Sequence, residues 1–402
     1  MRRLALALLI VFGLVAVPTT AHAATPIPTQ VGLVSFTGAG LTSTGATLTF
    51  TWKPVRYATK YDIIMSTSFT GVQKKSAVTL STKKTTVTLT KLKKNTAYFV
   101  QVRPVNKSGK WGLRSFRVGH VTIADQPKAE AQTSLTPYSL LTWNVCSTQC
   151  SNLSTREPVI DARISDLNAD IVALQESDQL RHPIGNYSTP ISPTLSILYK
   201  TTVFDPVSVA GHTLAGRTFF TAAAMEPGEG LTWQAIRDKS TGKYVIVFNT
   251  HLHTGRSANE TQQRESEATQ SLNSIAAVLG QLKRDYSGVT NWDSAAQLWL
   301  GDFNWTRTRS TDSTGARLTN GGWYDAYEQA QTLSNQHRNS GNPSWLATPT
   351  IGVTWGDHVD QVRVKPSTTV VTAWENAAEM NGSLYRTPLA SDHNPILMKV
   401  RT

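Results

Sequence analysis

The segment Leu300-Gly301-Asp302-Phe303-Asn304 places a carboxylate and a carboxamide directly after a short apolar run. Side chains alternate along a strand, so Asp302 and Asn304 are predicted to share one face at its carboxyl end. Oxygen ligands of this kind suit a hydrated Mg²⁺, and the amide can donate to a phosphoryl oxygen. Taken alone, the segment also fits an ordinary turn, so it predicts a metal or phosphate site only in company with other residues.

Five further polar residues or pairs stand beside apolar runs elsewhere in the chain. They are Asn144, Glu176, His251, Asp360 and the pair Asp392-His393. Each alone has a structural explanation, such as a turn cap, a surface acid or a core histidine. Asp360 is the hardest to explain in that way, because a carboxylate inside an apolar strand needs a partner. Six coincidences of this kind favour a single shared active site.

The elements that must position these residues begin near residue 138 and alternate between strands and a few helices. Apolar runs predict strands at 140–145, 171–174, 195–199, 243–249, 297–300, 359–364, 369–374 and 395–400. Apolar residues three or four apart predict a helix over 157–167 and a longer one over 259–284. Strands with so few helices predict two stacked mixed sheets with helices outside, which is an α/β sandwich.

The preceding part of the chain has a different composition. Short runs rich in β-branched and aromatic residues, with turn signals between them, predict a small all-β sandwich over residues 27–123. A polar linker is predicted over 124–137, which leaves 138–402 as the α/β domain. Two domains also agree with a length of 402 residues.

The charge of the chain is concentrated in the all-β part. The formal net charge is +12, yet residues 24–125 contain 15 Lys and Arg against 2 Asp and Glu, whereas residues 126–402 contain 22 against 25. This asymmetry predicts that the N-terminal domain faces a polyanion, such as nucleic acid, or an anionic cell-surface or membrane.

The first 23 residues are predicted to be a signal peptide. Arg2 and Arg3 precede an apolar run over 4–17, and Ala21-His22-Ala23 supplies a small-x-small cleavage site. No later run is long and apolar enough for a membrane span, so the mature protein is expected to be secreted. The two cysteines, Cys146 and Cys150, are then expected to form a local disulfide.

The N-terminal domain closely resembles a fibronectin type III domain. Trp52 precedes Lys53-Pro54, and the segment 92–106 has the pattern Leu-x-x-Asn-Thr-x-Tyr. The resemblance implies that Trp52 lies on an early core strand and that Tyr98 is the tyrosine corner. Such domains are often spacers. A spacer remains the expected role here, but seven lysines strengthen the alternative of a binding role: Lys74, Lys75, Lys83, Lys84, Lys91, Lys93 and Lys94.

The C-terminal domain resembles the endonuclease/exonuclease/phosphatase superfamily over residues 138–402. The matching segments, in order, are Thr142-Trp143-Asn144-Val145, Ala173-Leu174-Gln175-Glu176, Asn249-Thr250-His251-Leu252, Gly301-Asp302-Phe303-Asn304, Asp360-Gln361-Val362 and Ser391-Asp392-His393-Asn394-Pro395. The resemblance implies a DNase I-like sandwich in which two sheets lead all these loops to one edge. It also implies a Mg²⁺ or Mn²⁺ ion held chiefly by Glu176, with help from Asn144 and Asp392.

The same resemblance implies roles for the remaining residues. His393, oriented by Asp360, acts on the water or the scissile phosphate, and His251 donates to the phosphate or the leaving oxygen. Asp302 orients or deprotonates the nucleophile, and Asn304 holds a phosphate oxygen. Whether Asp302 or the His393–Asp360 pair is the general base is left open.

Two histidines do not follow the family pattern. His358 stands two residues before Asp360, where relatives often have an arginine, and is either a loop residue or a substrate contact. His253 offers a second imidazole, and strand alternation predicts that it shares a face with His251.

The function expected from the sequence is that of a secreted, monomeric, metal-dependent phosphodiesterase, a nuclease acting on extracellular DNA. One alternative is a sphingomyelinase-like phospholipid phosphodiesterase, for which Trp292, Trp345 and Trp355 would be candidate membrane contacts. Another phosphoesterase of the same superfamily is a further alternative. A third is an adhesion protein whose hydrolase domain is inactive.

Overall fold

A computed structural model of the 402-residue chain describes residues 25–75, 78–94, 96–122, 135–181, 184–221, 229–306, 309, 311–335, 338–342, 358–381 and 384–402. The predicted signal peptide, most of the predicted linker, and Trp345 and Trp355 lie outside the described residues.

The N-terminal domain is a sandwich of two antiparallel sheets. Its strands are β1 (Val34–Thr42), β2 (Gly45–Trp52), β3 (Lys60–Ser66), β4 (Leu80–Thr82), β5 (Thr86–Leu92), β6 (Ala97–Val105) and β7 (Val118–Val121), and the short helix α1 (Phe69–Lys74) follows β3. One sheet has the order β1-β2-β5 and the other β4-β3-β6-β7. The last of these strands, β7, pairs with β6 along its whole length.

The core of this domain contains the two aromatic residues that carried the sequence resemblance. Trp52 is buried and packs edge-on against Tyr61, with ring centroids 5.3 Å apart. The Tyr98 hydroxyl accepts a 3.0 Å hydrogen bond from the backbone N–H of Lys93, five residues upstream. The predicted tyrosine corner is therefore present.

The C-terminal domain contains the remaining elements. Its strands are β8 (Pro137–Asn144), β9 (Ile171–Gln175), β10 (Leu195–Tyr199), β11 (Phe204–Pro206), β12 (Ser208–Val209), β13 (His212–Thr213), β14 (Ala215–Thr218), β15 (Gly230–Asp238), β16 (Tyr244–His251), β17 (Ala296–Asp302), β18 (Tyr324–Asp325), β19 (Thr332–Ser334), β20 (Asp360–Val364), β21 (Val370–Asn376), β22 (Met380–Asn381), β23 (Leu384–Tyr385) and β24 (Ile396–Arg401). Its helices are α2 (Leu153–Leu167), α3 (Ala258–Asp285), α4 (Thr314–Asn320) and α5 (Ala326–Gln329).

Two mixed sheets form the centre of this domain. One has the order β10-β9-β8-β24-β21-β19, and the other has the order β11-β15-β16-β17-β20-β18, with β14 also paired to β15. Fully buried apolar side chains of both sheets fill the space between them, including Leu140, Ile197, Val247, Leu298 and Met398. Helix α2 covers the outer face of the first sheet, whereas α3 and α4 cover that of the second. The predicted α/β sandwich is confirmed.

The topology brings the polar ends of several strands to one edge of the sandwich. Strands β8 and β9 run parallel, as do β16 and β17, so their carboxyl ends coincide. His251 pairs with Asp302, which pairs in turn with Asp360 at the start of the antiparallel β20. Gly301 permits this pairing, because a Cβ atom there would lie 2.2 Å from the carbonyl oxygen of Thr250.

Helix α2 and strand β15 are two of the elements that differ from the sequence prediction. Helix α2 begins at Leu153, four residues early, where the buried guanidinium of Arg156 donates to the carbonyls of Val145, Cys146 and Cys150. Strand β15, which spans nine residues, was not predicted.

Aromatic rings connect the two domains. The rings of Phe36 and His120 stack with centroids 3.7 Å apart, and both stack on Tyr327 of the C-terminal domain, at 6.0 and 5.2 Å. Among the helices that the structure describes, none has the length and apolar character needed to cross a membrane.

Candidate active site

A hydrogen-bonded chain of three polar side chains lies at the common edge of the two sheets. The Asn144 Nδ2 atom donates to Glu176 Oε1 at 2.8 Å and to Asp302 Oδ2 at 3.1 Å. The Asn144 Oδ1 atom accepts the backbone N–H of Cys146, which fixes the orientation of the amide. Residues from both sheets are therefore joined through one buried carboxamide.

Asp360 and His393 form the imidazole–carboxylate contact that the resemblance implied. His393 Nδ1 lies 2.8 Å from Asp360 Oδ2 and 3.8 Å from Asp302 Oδ2. Burial lowers the pKa of His393, but the carboxylates of Asp360 and Asp302 outweigh this effect and hold its pKa well above 6.5. With Nδ1 directed at Asp360, the Nε2 atom is left for a substrate or water.

Ser340 positions Asp360, a role that no pattern in the sequence indicates. Its Oγ atom accepts the backbone N–H groups of Val359 (2.8 Å) and Asp360 (3.0 Å). The hydroxyl therefore fixes the start of β20, where the carboxylate is fully buried.

His251 and Asn304 are brought together as predicted, but with a different division of tasks. His251 Nε2 lies 3.8 Å from Glu176 Oε1 and 3.7 Å from Asp302 Oδ2. The Asn304 Nδ2 atom lies 3.2 Å from His251 Nε2 and donates to the carbonyl of Leu252 at 2.8 Å. In this structure Asn304 thus orients His251 with the same nitrogen that was predicted to hold a phosphate oxygen.

Asp392 lies beside this cluster on the loop that precedes β24. The Ser391 hydroxyl donates to the Asn144 carbonyl at 2.7 Å, which ties the loop to the end of β8. The Asp392 carboxylate lies within 4.8 Å of both sulfur atoms of the Cys146–Cys150 disulfide. The predicted disulfide is therefore present, and it packs beside the predicted metal ligand Asp392.

Two residues of the site adopt left-handed backbone conformations. Glu176 has φ +52° and Asn304 has φ +45°. Residues other than glycine rarely adopt these angles, which cost free energy and occur preferentially at functional sites. Glu176 directly follows β9 and Asn304 stands two residues after β17, where the turns aim their side chains into the shared edge.

The donor set fits a hard divalent cation. Glu176 Oε2 is buried and lacks a hydrogen-bond partner among the described residues, while Oε1 is bonded to Asn144. A buried carboxylate oxygen requires a proton, a donor or a cation. Carboxylate and amide oxygens are the ligands that Mg²⁺ and Mn²⁺ prefer.

A second buried polar pair, which was not predicted from the sequence, joins the two sheets in the interior next to the site. Gln175 Nε2 donates to Asn249 Oδ1 at 2.7 Å, and Asn249 Nδ2 donates to the carbonyls of Leu174 and Ser196. These bonds join the two sheets directly beneath Glu176 and His251. Gln175 and Asn249 are polar residues within apolar strands, one residue before Glu176 and two residues before His251. This polarity is the signal that could have revealed the pair.

His253 and His358 lie outside the cluster. Strand β16 ends at His251, so the prediction that His253 shares its face was wrong. His253 instead bonds to Glu229 through Nδ1 at 2.7 Å. His358 is 1 % exposed, contacts the Arg338 carbonyl and packs on Trp374, so it serves packing rather than substrate contact.

Glu267 completes a fully buried cluster with Glu229 and His253. Its Oε2 accepts the backbone N–H of His253 at 2.6 Å. Burial and the adjacent Glu229 carboxylate raise the pKa of Glu267 to about 7. The folded protein consequently binds more protons than the unfolded chain between about pH 4.5 and pH 7.

The free energy of unfolding should therefore fall as pH rises from about 4.5 to 7 and recover none of this loss above pH 7. Glu267→Gln keeps an oxygen for the His253 N–H and is expected to remove this contribution, on the order of 2 kcal/mol. Urea unfolding of wild type and variant at pH 5 and pH 8 measures the difference. An equal pH dependence in both proteins would contradict the prediction, and Asp166→Asn on the exposed face of α2 is the control.

Comparison with known protein families identifies the N-terminal domain. The fibronectin type III family profile matches residues 33–118. These residues form a fibronectin type III domain. Seven exposed lysines of the fibronectin type III domain lie on α1, on the β4–β5 turn and around the end of β5: Lys74, Lys75, Lys83, Lys84, Lys91, Lys93 and Lys94.

Beyond the fibronectin type III domain, the chain is similar to several solved structures. An endonuclease/exonuclease/phosphatase family protein from Bacteroides thetaiotaomicron is 19 % identical, with 67 % of this chain and 98 % of that chain covered and a TM-score of 0.48. A mannosyl-6-phosphatase from the same species is 18 % identical, with coverage of 65 % and 99 % and a TM-score of 0.48. D. rerio TDP2 complexed with a single-strand DNA product is 15 % identical, with coverage of 66 % and 100 % and a TM-score of 0.44. No curated protein matches the sequence.

Proposed function

We propose that this protein is a secreted, metal-dependent phosphodiesterase, specifically a nuclease that hydrolyses extracellular DNA. The observation that carries this proposal is the convergence of Asn144, Glu176, His251, Asp302 and the Asp360–His393 pair on one edge of a two-sheet sandwich. This set combines oxygen ligands for a cation with two imidazoles, which are the groups that phosphate ester hydrolysis requires.

The metal is assigned chiefly to Glu176, with Asn144 and Asp392 as the further proposed ligands. Asn144 would have to turn its amide to contribute, because Nδ2 faces Glu176 and Oδ1 accepts from the Cys146 N–H. When bound, Mg²⁺ or Mn²⁺ would neutralise charge on the phosphoryl oxygens and on the leaving oxygen. The buried and unpartnered Glu176 Oε2 is the atom that supports this assignment, within the part of the chain that the structure describes.

The side chains of the site have separate tasks in this proposal. Asp302 accepts bonds from Asn144 Nδ2 and from the Asn304 N–H, which hold its carboxylate ready to orient the attacking water. His393, held at Nδ1 by Asp360, presents Nε2 to the phosphate. His251, held by Asn304, donates to a phosphoryl or leaving oxygen, which requires its ring nitrogen to exchange its Asn304 contact for substrate.

The fibronectin type III domain supports DNA as the substrate. Tight DNA binding draws heavily on phosphate neutralisation, but residues 126–402 contain 22 basic and 25 acidic residues. Residues 24–125 contain 15 basic and 2 acidic residues, and the exposed lysines of this region would supply the missing attraction.

Neutralising five of these lysines should therefore weaken DNA binding. The variant carries Lys83→Gln, Lys84→Gln, Lys91→Gln, Lys93→Gln and Lys94→Gln. It is expected to bind DNA roughly tenfold more weakly at low salt, with a smaller slope of log Kd against log salt concentration. Fluorescence anisotropy across a salt series measures both quantities. The control is Lys239→Gln with Lys399→Gln, which changes two exposed lysines of the C-terminal domain. An unchanged salt slope in the five-lysine variant would leave the domain as a spacer.

The first test of the proposed function uses supercoiled plasmid DNA, sphingomyelin vesicles and a phosphomonoester, each with Mg²⁺ and with EDTA. EDTA-sensitive nicking of the plasmid is expected. Release of phosphocholine without nicking would instead establish the sphingomyelinase-like alternative. That alternative has lost one of its predicted membrane contacts, because Trp292 is 1 % exposed and its indole N–H donates to the Tyr286 carbonyl.

A further inference from the structure

Arg217 and Phe219, at the end of β14, lie beside the candidate active site and have no role in the chemistry described above. We propose that they form a subsite for the nucleotide adjacent to the scissile phosphate, with Arg217 binding its phosphate and Phe219 stacking on its base. This inference rests on the proposed function and specifies which part of a polynucleotide the protein recognises.

Strand register places the subsite near His251. Thr218 pairs with Leu231 on β15, and the preceding residue of β15, Gly230, pairs with His251. Neighbouring strands are about 4.8 Å apart, so the end of β14 lies about 10 Å from the His251 backbone. A polynucleotide with one phosphate at the catalytic groups would extend past this position, so a neighbouring nucleotide is the group that could reach it.

Gly230 shows which face of the sheet Arg217 occupies. A Cβ atom at Gly230 would lie 3.8 Å from both Arg217 Nε and Leu195 Cδ1. Leu195 begins β10 of the opposite sheet and pairs with Gln175, the residue before Glu176. The guanidinium thus lies between the two sheets, on the side of the edge that contains the catalytic groups.

Arg217 is a cation whose charge is not neutralised by any described residue. Its Nη1 donates to the Ser192 hydroxyl at 3.2 Å, and its Nε is buried without a hydrogen-bond partner. No carboxylate in the described parts of the chain lies within ion-pair distance of it. A half-buried guanidinium with an unused N–H is suited to bind an anion such as a phosphate.

Phe219 adds an aromatic surface to this cation. It is 61 % exposed, and the Arg217 guanidinium carbon lies 4.4 Å from its ring centroid. Bases of single strands stack on exposed aromatic rings, and arginine on the same surface contributes to such binding. A lipid would be a poorer occupant, because inserting this ring into a bilayer would also desolvate the guanidinium packed against it.

The test compares substrates that have a base at the proposed subsite with substrates that lack it. Wild type, Phe219→Ala, Phe219→Leu and Arg217→Gln are assayed on a single-stranded oligonucleotide and on copies with an abasic nucleotide at each position flanking the cleavage site. Methyl p-nitrophenyl phosphate, which is too short to reach Arg217, reports the chemical step. Arg401→Gln, at the exposed opposite end of β24, is the matched arginine control.

Phe219→Ala is expected to lower kcat/KM on the natural oligonucleotide by roughly tenfold and to have no effect once the stacked base is removed. Arg217→Gln should lower binding of both oligonucleotides, and neither change should alter hydrolysis of the small diester. The subsite would be overturned if Phe219→Ala lowered kcat/KM equally on natural and abasic substrates, or lowered it on neither. A loss confined to sphingomyelin vesicles would overturn it as well, in favour of a lipid.

Binding by fluorescence anisotropy in EDTA supplies a readout that does not depend on turnover. If wild-type protein hydrolyses no phosphodiester, the proposed function fails. Loss of base-dependent binding in Phe219→Ala would then still support the subsite, whereas unchanged binding would overturn it.

Discussion

Replacing His393 with glutamine is expected to lower kcat for DNA hydrolysis by roughly 10³-fold, within the range for loss of a positioned acid–base group. The imidazole is held by Asp360 at 2.8 Å, and its Nε2 atom is the part left for the phosphate. Glutamine cannot carry the positive charge or transfer a proton. Steady-state hydrolysis of a labelled oligonucleotide, with Kd measured separately, shows whether the loss lies in turnover rather than in binding.

His212→Gln, an exposed histidine on β13, is the matched control for this substitution and should retain wild-type turnover. Asp360→Asn should give a smaller loss, because the imidazole remains in place but loses its charged partner. Near-wild-type kcat in His393→Gln would show that the role assigned to His393 is wrong.

Replacing Glu176 with glutamine is expected to reduce hydrolysis by roughly 10³-fold or more, because it removes the principal charge that would hold the cation. Oε1 can still accept from Asn144 Nδ2, so the local fold should be retained. Isothermal titration with Mn²⁺ should show the loss of one binding event, and partial rescue of turnover is expected at high metal concentration.

Asp205→Asn, an exposed carboxylate paired with Lys239, is the control for general effects of charge removal. Wild-type metal affinity in Glu176→Gln would contradict the assignment of the cation to this carboxylate. Loss of hydrolysis together with retained metal binding would move Glu176 from the metal to the substrate.

Much of the site could be predicted because its residues interrupt apolar strands. Asn144, Glu176, Asp302 and Asp360 each stand where a buried strand begins or ends, and the structure places all four at one edge. Which side chains would bond to one another could not be predicted, because strand order is set by packing between sequence-distant segments. The contact between Asn304 and His251 is an example, since their residue numbers differ by 53.

The unpredicted elements have identifiable causes. Strand β15 alternates apolar Leu231, Trp233 and Ala235 with polar Thr232 and Gln234, a strand pattern that the prediction did not use. Both polar residues are nevertheless buried, at the side of the sheet that faces the other sheet. The role of Ser340 could not be predicted from the sequence, because its hydroxyl contacts Asp360 from a loop 20 residues away.

The stacked rings of Phe36, His120 and Tyr327 have a consequence for how the two domains work together. Tyr327 also packs against His358, which precedes the fully buried Asp360 by two residues. A contact of this kind restricts rotation between the fibronectin type III domain and the edge where the sheets end. The lysine-bearing surface is consequently held at a set spacing from the catalytic groups. If the proposed polyanion binds, the lysines and the catalytic groups would contact it at a fixed separation along its length. A flexible tether would not fix that separation.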